Sequence, residues 1–465
     1  MKELAIFIDN NLKIPVYEQI YNALKKDIIN GRLRAGEQLP STRGLCEFLQ
    51  CSRSTVLLAY EQLVAEGYIE TIPKKGYFVM ELYENFKVNE EDCKTKDAGE
   101  KTGEYEIDFS PVGIDADSFP FNEWRKISRQ VLNSENAELF NSGDSRGDLD
   151  LRIEIAGYLK NSRGVKANSE RIIIGAGYES LLMILNFILE KDSGFAMENP
   201  VYPKAYKLIK ALDRRIEPVE LDQYGMSVLK LSKTKAKIAY VTPSHQYPTG
   251  VIMSAKRRQE LLRWAMEEED RFIIEDDYDS EFRYRGKPIP SLQGLDTGDK
   301  VIYIGTFSKS ISPAVRMSYM VLPDGLYEKY AKSARFFSNT VSRIDQRIVS
   351  VFIKNGGFER HLGRMRTTYK SKHALMINRL KEWENVEVFG ENAGAHMLLK
   401  INNGMSEEQL VNLAAKEKIK VYSLKDCYIA DTKTDGAAII LGYAKLNEET
   451  IDKGLSKLGK IWKFK

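Results

Sequence analysis

The chain has 465 residues, 43% of them apolar and 29% charged, which fits a soluble globular protein of two or three domains better than a single core. Its longest apolar runs, such as Leu181–Leu189, fall short of the ~20 residues of a membrane span, and Met1-Lys2-Glu3 begins no cleavable apolar leader, so neither membrane insertion nor export is expected. Cys46, Cys51, Cys93 and Cys427 have neither metal-ligand spacing nor the density of a disulfide scaffold, a reducing cytoplasm is expected, and a formal charge of +3 leaves nucleic-acid binding to local basic surface.

Tyr17, Ile20, Tyr21, Leu24, Ile28 and Ile29 recur at helical spacing and predict a helix over about 16–30, stopped by Gly31. Ser41 caps a second, short helix that runs to Leu49. Gln50 and Cys51 make the turn, and Ser52 caps a third helix over 53–66 with Val56, Tyr60, Leu63 and Val64 as its inward face. Residues 68–72 and 76–79 read as strands joined by Pro73-Lys74-Lys75. This order predicts a winged helix-turn-helix over 12–79. The exposed start of its third helix, Ser52, Arg53, Ser54 and Thr55, is where base edges and phosphates are met, while Arg43, Lys74 and Lys75 suit contacts to the DNA backbone.

Residues 80–107, with Glu90-Glu91-Asp92 and few apolar groups, predict a flexible acidic linker that stays off the duplex. From 108 to 465 the pattern becomes α/β. Short, wholly apolar strands at 171–174, 238–241, 272–274 and 301–304 alternate with longer helical stretches, as in a sheet covered on both faces. A large domain over about 120–350 is expected, then a mostly helical stretch from Leu326 to about Leu380. A small α+β lobe follows over about 380–465, with strand-like segments at 395–401, 420–423 and 437–443.

Gly305-Thr306-Phe307-Ser308-Lys309-Ser310 suits a lysine that holds an aldehyde covalently, provided partial enclosure helps the amine lose its proton. Thr306, Ser308 and Arg316 offer donors to a phosphate. An ordinary exposed loop lysine is the other reading. The buried strand at 272–274 runs into Glu275-Asp276-Asp277-Tyr278-Asp279, and carboxylates at a sheet end are costly unless they meet a cation or ligand. One of them can face a protonated pyridine nitrogen. A divalent metal site and a solvated loop are the alternatives; no histidine lies close in sequence, and no metal is expected. The turn Ala176-Gly177-Tyr178 before an apolar helix offers backbone N–H groups to a phosphate, although such small-residue turns are common. Tyr202 suits either ring stacking or packing, and His245 either a polar contact near a cofactor or a structural hydrogen bond. His361, His373 and His396 form no recognisable site.

The motifs 39–43, 52–56 and 60–68 in the head resemble the MocR-type branch of the GntR-family regulators, as do 119–124, 143–147, 242–250, 275–282 and 305–309 in the body. The resemblance spans about 12–455. It implies a winged helix-turn-helix joined to a fold-type-I aminotransferase-like domain. It further implies that Lys309 carries pyridoxal 5'-phosphate, Asp276 faces the pyridine nitrogen, Tyr278 lies near the ring hydroxyl and Tyr202 stacks. Ala176–Tyr178 with Thr306, Ser308 and Arg316 correspond to the phosphate cup. A head-to-tail homodimer on a double-stranded DNA operator is implied, with a small amine or amino acid as a further effector. The genes implied are those of vitamin B6, amine or amino-acid metabolism, regulated without physiological turnover.

Two departures qualify the resemblance. Fold-type-I aminotransferases hold the substrate carboxylate with an arginine in the small lobe, whereas this chain has no arginine after Arg379. The family's Arg-x-Gly-Tyr segment reads Arg316-Met317-Ser318-Tyr319 here, which serine tolerates at negative φ. A regulator is therefore expected; the alternative is an active aminotransferase with a vestigial or merely localising head.

Overall fold

The computed structural model describes residues 6–9, 12–82, 105–284, 289–430 and 436–464. Most of the expected acidic linker, 83–104, lies outside the described residues. The chain divides into two compact units, Met1–Lys101 and Thr102–Lys465, each around its own cores.

The first unit has helices α1 (Val16–Ile29), α2 (Thr42–Leu49) and α3 (Arg53–Ala65), then strands β1 (Ile69–Ile72) and β2 (Gly76–Val79). Ser41 accepts a hydrogen bond from Gly44 N and Ser52 one from Thr55 N, so both predicted caps form. The inward face of α3 is Val56, Ala59, Tyr60 and Leu63, an i, i+3, i+4, i+7 stripe. Val64 was expected on that face and instead stays exposed, because eight residues on from Val56 the helix has turned it to the flank. Tyr17, in the first turn of α1, is likewise exposed. The strands form an antiparallel hairpin, Ile69 opposite Val79, whose tip holds Lys74 at φ 64°.

In the second unit eight strands form one sheet: β4 (Ile172–Gly175), β5 (Gly194–Asn199), β6 (Ile216–Asp222), β7 (Gly225–Met226), β8 (Ala236–Val241), β9 (Phe272–Asp277), β10 (Val301–Thr306) and β11 (Ser318–Val321), following the short β3 (Ile107–Asp108). Their spatial order is β4-β11-β10-β9-β8-β5-β6-β7. From β10 to β6 neighbours run parallel, whereas β11 is antiparallel to both β10 and β4. Adjacent residues such as Ile273 and Ile274 are both fully buried because helical layers cover both faces. β9 is longer than the predicted 272–274: Glu275, Asp276 and Asp277 lie within the strand, paired in register with β10, and not in a loop beyond it.

The small lobe contains β12 (Val386–Phe389), β13 (His396–Ile401), β14 (Ile419–Lys420), β15 (Tyr422–Ser423) and β16 (Ala437–Gly442). β12, β13, β16 and β15 form an antiparallel sheet packed with the helices Glu407–Lys416 and Glu448–Ile461, and with the long helix Gly357–Leu380, around a core including Met397, Leu441 and Trp462. β3 pairs in parallel with β14, so the start of this unit is built into its last lobe. No helix among the described residues is long and apolar enough to cross a membrane.

Candidate functional site

Parallel strands deliver their carboxyl ends to one place, and β8, β9 and β10 end around a cavity of about 210 Å³. Lys309, Asp276, Tyr278, Tyr202, Tyr178, Thr306, Ser308 and Arg316 all line it. These residues are spread along the sequence from Tyr178 to Arg316 and are brought together by the sheet.

Lys309 follows β10 and is half-buried. Burial lowers its amine to about 8, against the opposing pull of the Asp279 carboxylate. Its Nζ donates to Pro111 O at 2.6 Å. The ordinary exposed loop lysine is thereby excluded. Asp276, buried on β9, accepts a hydrogen bond from Tyr240 Oη. Burial pushes its carboxyl up to about 7, against that hydrogen bond, with Asp277 and Asp279 adding to the rise.

The neighbouring carboxylates have other partners. Glu275 accepts from Leu292 N and Gln293 N, both at 2.8 Å, capping a short helix. Asp277 accepts from Arg163 Nε at 2.8 Å and Tyr303 Oη at 2.5 Å. Asp276 is therefore the carboxylate of this group that faces the cavity, and the solvated-loop reading fails for all of them: each is buried.

His245 is not among the lining groups; it stands behind Tyr278. Tyr278 Oη and Asp279 Oδ2 approach its Nδ1 at 3.1 and 2.9 Å. His396, which sequence placed in no site, lies with its ring 5.2 Å from that of His245. Potential ligand atoms of His245, Asp279 and His396 come within 4.8 Å of one another. Tyr202 meets Tyr247 edge-on at 5.3 Å on the cavity wall.

At the other end Gly177, at φ 82°, precedes the helix Tyr178–Ile188. A side chain there would be strained at that φ, and its Cβ, 2.3 Å from Arg316 Nη2, would force the guanidinium to move. Arg316 itself takes the left-handed region at φ 48°, and its Nη2 reaches Glu179 Oε2 at 2.7 Å and Ala176 O at 3.5 Å. Thr306 Oγ1 accepts from Ser308 N at 3.1 Å and Ser318 Oγ at 2.9 Å. Ser318 sits in β11 without positive φ, as its side chain requires.

Sequence reasoning missed Glu179, Lys204, Tyr240 and the segment Pro111-Val112-Gly113, all at or beside the cavity. None belongs to a motif that names its chemistry. Tyr240, two positions before Thr242 on β8, had the one usable signal, a polar tip on a buried strand.

The donor set suits a phosphorylated pyridine aldehyde. A partly deprotonated amine, a buried carboxylate for a ring nitrogen and an arginine beside a helix N-terminus surround one enclosed space.

In the head, Arg53 and Ser54 are exposed at the start of α3. The Ser52 hydroxyl is engaged by the cap, with Ser54 Oγ at 2.8 Å and Thr55 Oγ1 at 2.7 Å, so Arg53 is the long side chain that faces outward there. Lys74 and Lys75 are exposed at the hairpin tip, and exposed Arg43 pairs with Glu47 at 3.2 Å.

Comparison with known proteins agrees with this division. Residues 16–79 match the family described as bacterial regulatory proteins, gntR family, and residues 114–458 match aminotransferase class I and II. The chain is 40% identical over 468 residues to the uncharacterized HTH-type transcriptional regulator YdeL of Bacillus subtilis, covering 99% of this chain and 100% of that one. It is 29% identical over 472 residues to the probable rhizopine catabolism regulatory protein MocR of Rhizobium meliloti, covering 97% and 95%. It is also 29% identical over 451 residues to the pyridoxine biosynthesis transcriptional regulator PdxR of Corynebacterium glutamicum, covering 97% of each. Among solved structures, the multiple substrate aminotransferase of Thermococcus profundus matches at a TM-score of 0.70 and 25% identity, over 78% of this chain and 92% of that one.

Proposed function

Because the chain belongs to the MocR-type branch of the GntR family, a helix-turn-helix regulator fused to a fold-type-I aminotransferase-like body, we propose that it is a transcription regulator whose sensor binds pyridoxal 5'-phosphate at Lys309. The observation that carries this reading is the pairing, within one cavity, of a lysine amine lowered to about 8 with the buried Asp276 carboxylate. Bound there, the cofactor supplies an electrophilic aldehyde on an electron-withdrawing ring.

The protein's own groups then have separable tasks. Lowered to about 8, Lys309 offers a minor neutral fraction near pH 7 that grows as pH rises, and the walls of Tyr202 and Tyr278 exclude water from it. Asp276, steadied by Tyr240, holds a proton between its carboxyl and a ring nitrogen. Arg316 and the N–H groups after Gly177 bind a phosphate, with Thr306 and Ser308 beside them. His245 and Asp279 orient the Tyr278 phenol from behind. In the head, Arg53, Ser54 and Thr55 read an operator while Arg43, Lys74 and Lys75 grip its phosphates.

The reading extends to a cytoplasmic homodimer, paired head-to-tail through the aminotransferase-like bodies. The regulated genes belong to vitamin B6, amine or amino-acid metabolism, supported by what MocR and PdxR are named for. A ligand shifts such a regulator only through different affinity for its two arrangements. An active aminotransferase is the second reading, favoured by the complete Lys309, Asp276 and Tyr278 set around the cavity. The absence of any arginine after Arg379 weighs against it, since lysines grip a carboxylate poorly. Incubating the loaded protein with amino donors and keto acids separates the two: at most one turnover per site is expected, and sustained keto-acid release would establish the enzyme.

A further inference from the structure

We propose that Glu179 is a built-in anion of the phosphate cup, so that a phosphate group binds only by displacing the Glu179 carboxylate from Arg316. The identity of the phosphorylated ligand rests on the reading above; the exchange itself rests on the cup's geometry.

A phosphate at this end of the cavity would use two kinds of donor, the Arg316 guanidinium and the N–H groups opening the helix Tyr178–Ile188. Glu179 already engages both. Its Oε2 lies 2.7 Å from Arg316 Nη2. Burial works against its charge, but hydrogen bonds from its own backbone N–H and from Arg316, with Lys204 nearby, keep its carboxyl below the usual range.

The cup is tight as well as occupied by charge. A Cβ on Gly177 would lie 2.3 Å from Arg316 Nη2 and 2.8 Å from Glu179 Oε2, so the ion pair is packed directly against the turn. A phosphate dianion that takes the same Nη2 and backbone N–H donors meets the like charge of the Glu179 carboxylate there. Binding is therefore an exchange: the Glu179 side chain swings toward solvent, which its half-exposed position allows, and phosphate oxygens take over Arg316.

This exchange acts on the phosphate and on nothing else in the ligand. It lowers affinity for phosphorylated ligands relative to a cup with a neutral side chain at 179, while a pyridine aldehyde without phosphate is indifferent to it. For a sensor the effect is useful, because weaker retention lets occupancy follow the ligand's concentration.

The test compares the full chain with its Glu179→Gln and Arg316→Ala variants, titrated with pyridoxal phosphate, pyridoxal and inorganic phosphate. Glu179→Gln should bind pyridoxal phosphate and inorganic phosphate about two- to fivefold more tightly, the scale of one partly exposed ion pair, with pyridoxal unchanged. Arg316→Ala should weaken both phosphate-bearing ligands. Unchanged or weaker phosphate binding by Glu179→Gln overturns the proposal, because it makes Glu179 a group that merely orients Arg316. The cofactor reading fails separately: if pyridoxal phosphate gives no lysine-dependent absorbance band in any variant, that reading falls, while calorimetry with inorganic phosphate still decides the exchange.

Discussion

Lys309 Nζ donates a 2.6 Å hydrogen bond to the carbonyl of Pro111, which ties this cavity-lining amine to the segment by which the chain enters the second unit. That segment is fastened elsewhere to the small lobe: Phe109 N donates to Lys420 O at 3.0 Å, and Gly442 N to Phe109 O at 2.8 Å. Gly442 admits the strand closely, since a Cβ there would meet Ser110 O at 2.1 Å.

A ligand joined to the Lys309 nitrogen must take that donor away from Pro111. The Val112 and Gly113 amides should then exchange with solvent about fivefold faster in the loaded protein, the equivalent of one lost hydrogen bond of ~1 kcal/mol. Hydrogen exchange read by mass spectrometry checks this. Lys309→Ala should show the faster exchange with or without pyridoxal phosphate; equal protection in all samples would contradict the coupling.

Uptake of an aldehyde needs the neutral amine, and burial lowers Lys309 to about 8. The association rate should rise roughly tenfold per pH unit below that value and level off above it. A stopped-flow profile that is flat across this range, or one that climbs on toward the value of a free lysine, would contradict the enclosure.

Asp276 gives a stability signature. Its carboxyl is pushed up to about 7 by burial, so it favours the folded state below the unfolded value near 4 and that contribution is lost as pH rises through 7. Asparagine does not titrate and still accepts from Tyr240. Cofactor-free Asp276→Asn should therefore gain on the parent protein as pH rises across this window, ending about 2–5 °C higher in thermal midpoint. A constant difference at all pH values would show that Asp276 is not buried as a charge.

The head makes a salt-dependent prediction. Arg53→Ala should weaken operator binding about tenfold or more while leaving cofactor uptake intact, because its side chain is exposed at the tip of α3. Replacing Lys74 and Lys75 together should weaken all sequences alike and reduce the salt slope by about two. If Arg53→Ala also lost cofactor uptake, the residue would serve folding.

Much of this was legible in the sequence because it is local. Caps at Ser41 and Ser52 are set by side chains within three residues, and the apolar runs of β4, β8, β9 and β10 are set by burial on both faces. Lys309 and Asp276 were legible as motif members at strand ends. Distinguishing Asp276 from Glu275 and Asp277 was not possible: it depends on Leu292, Arg163 and Tyr303, which only the sheet brings near. His396 was missed for the same reason, since it comes from the small lobe to lie beside His245. Tertiary contact, with no sequence period, decides each of these. Val64 shows the limit of the local reading, where an apolar residue lies just off the buried stripe.

The central claim is that Lys309 serves sensing. It is tested most directly by measuring affinity of the full-length protein for a genomic operator fragment, with and without pyridoxal phosphate, in the parent and in Lys309→Ala. The account predicts that the cofactor changes operator affinity of the parent about fivefold or more, the lower end of ordinary coupling between sites, and leaves Lys309→Ala unchanged. Operator binding that is the same in all four samples, alongside intact cofactor uptake by the parent, would contradict it.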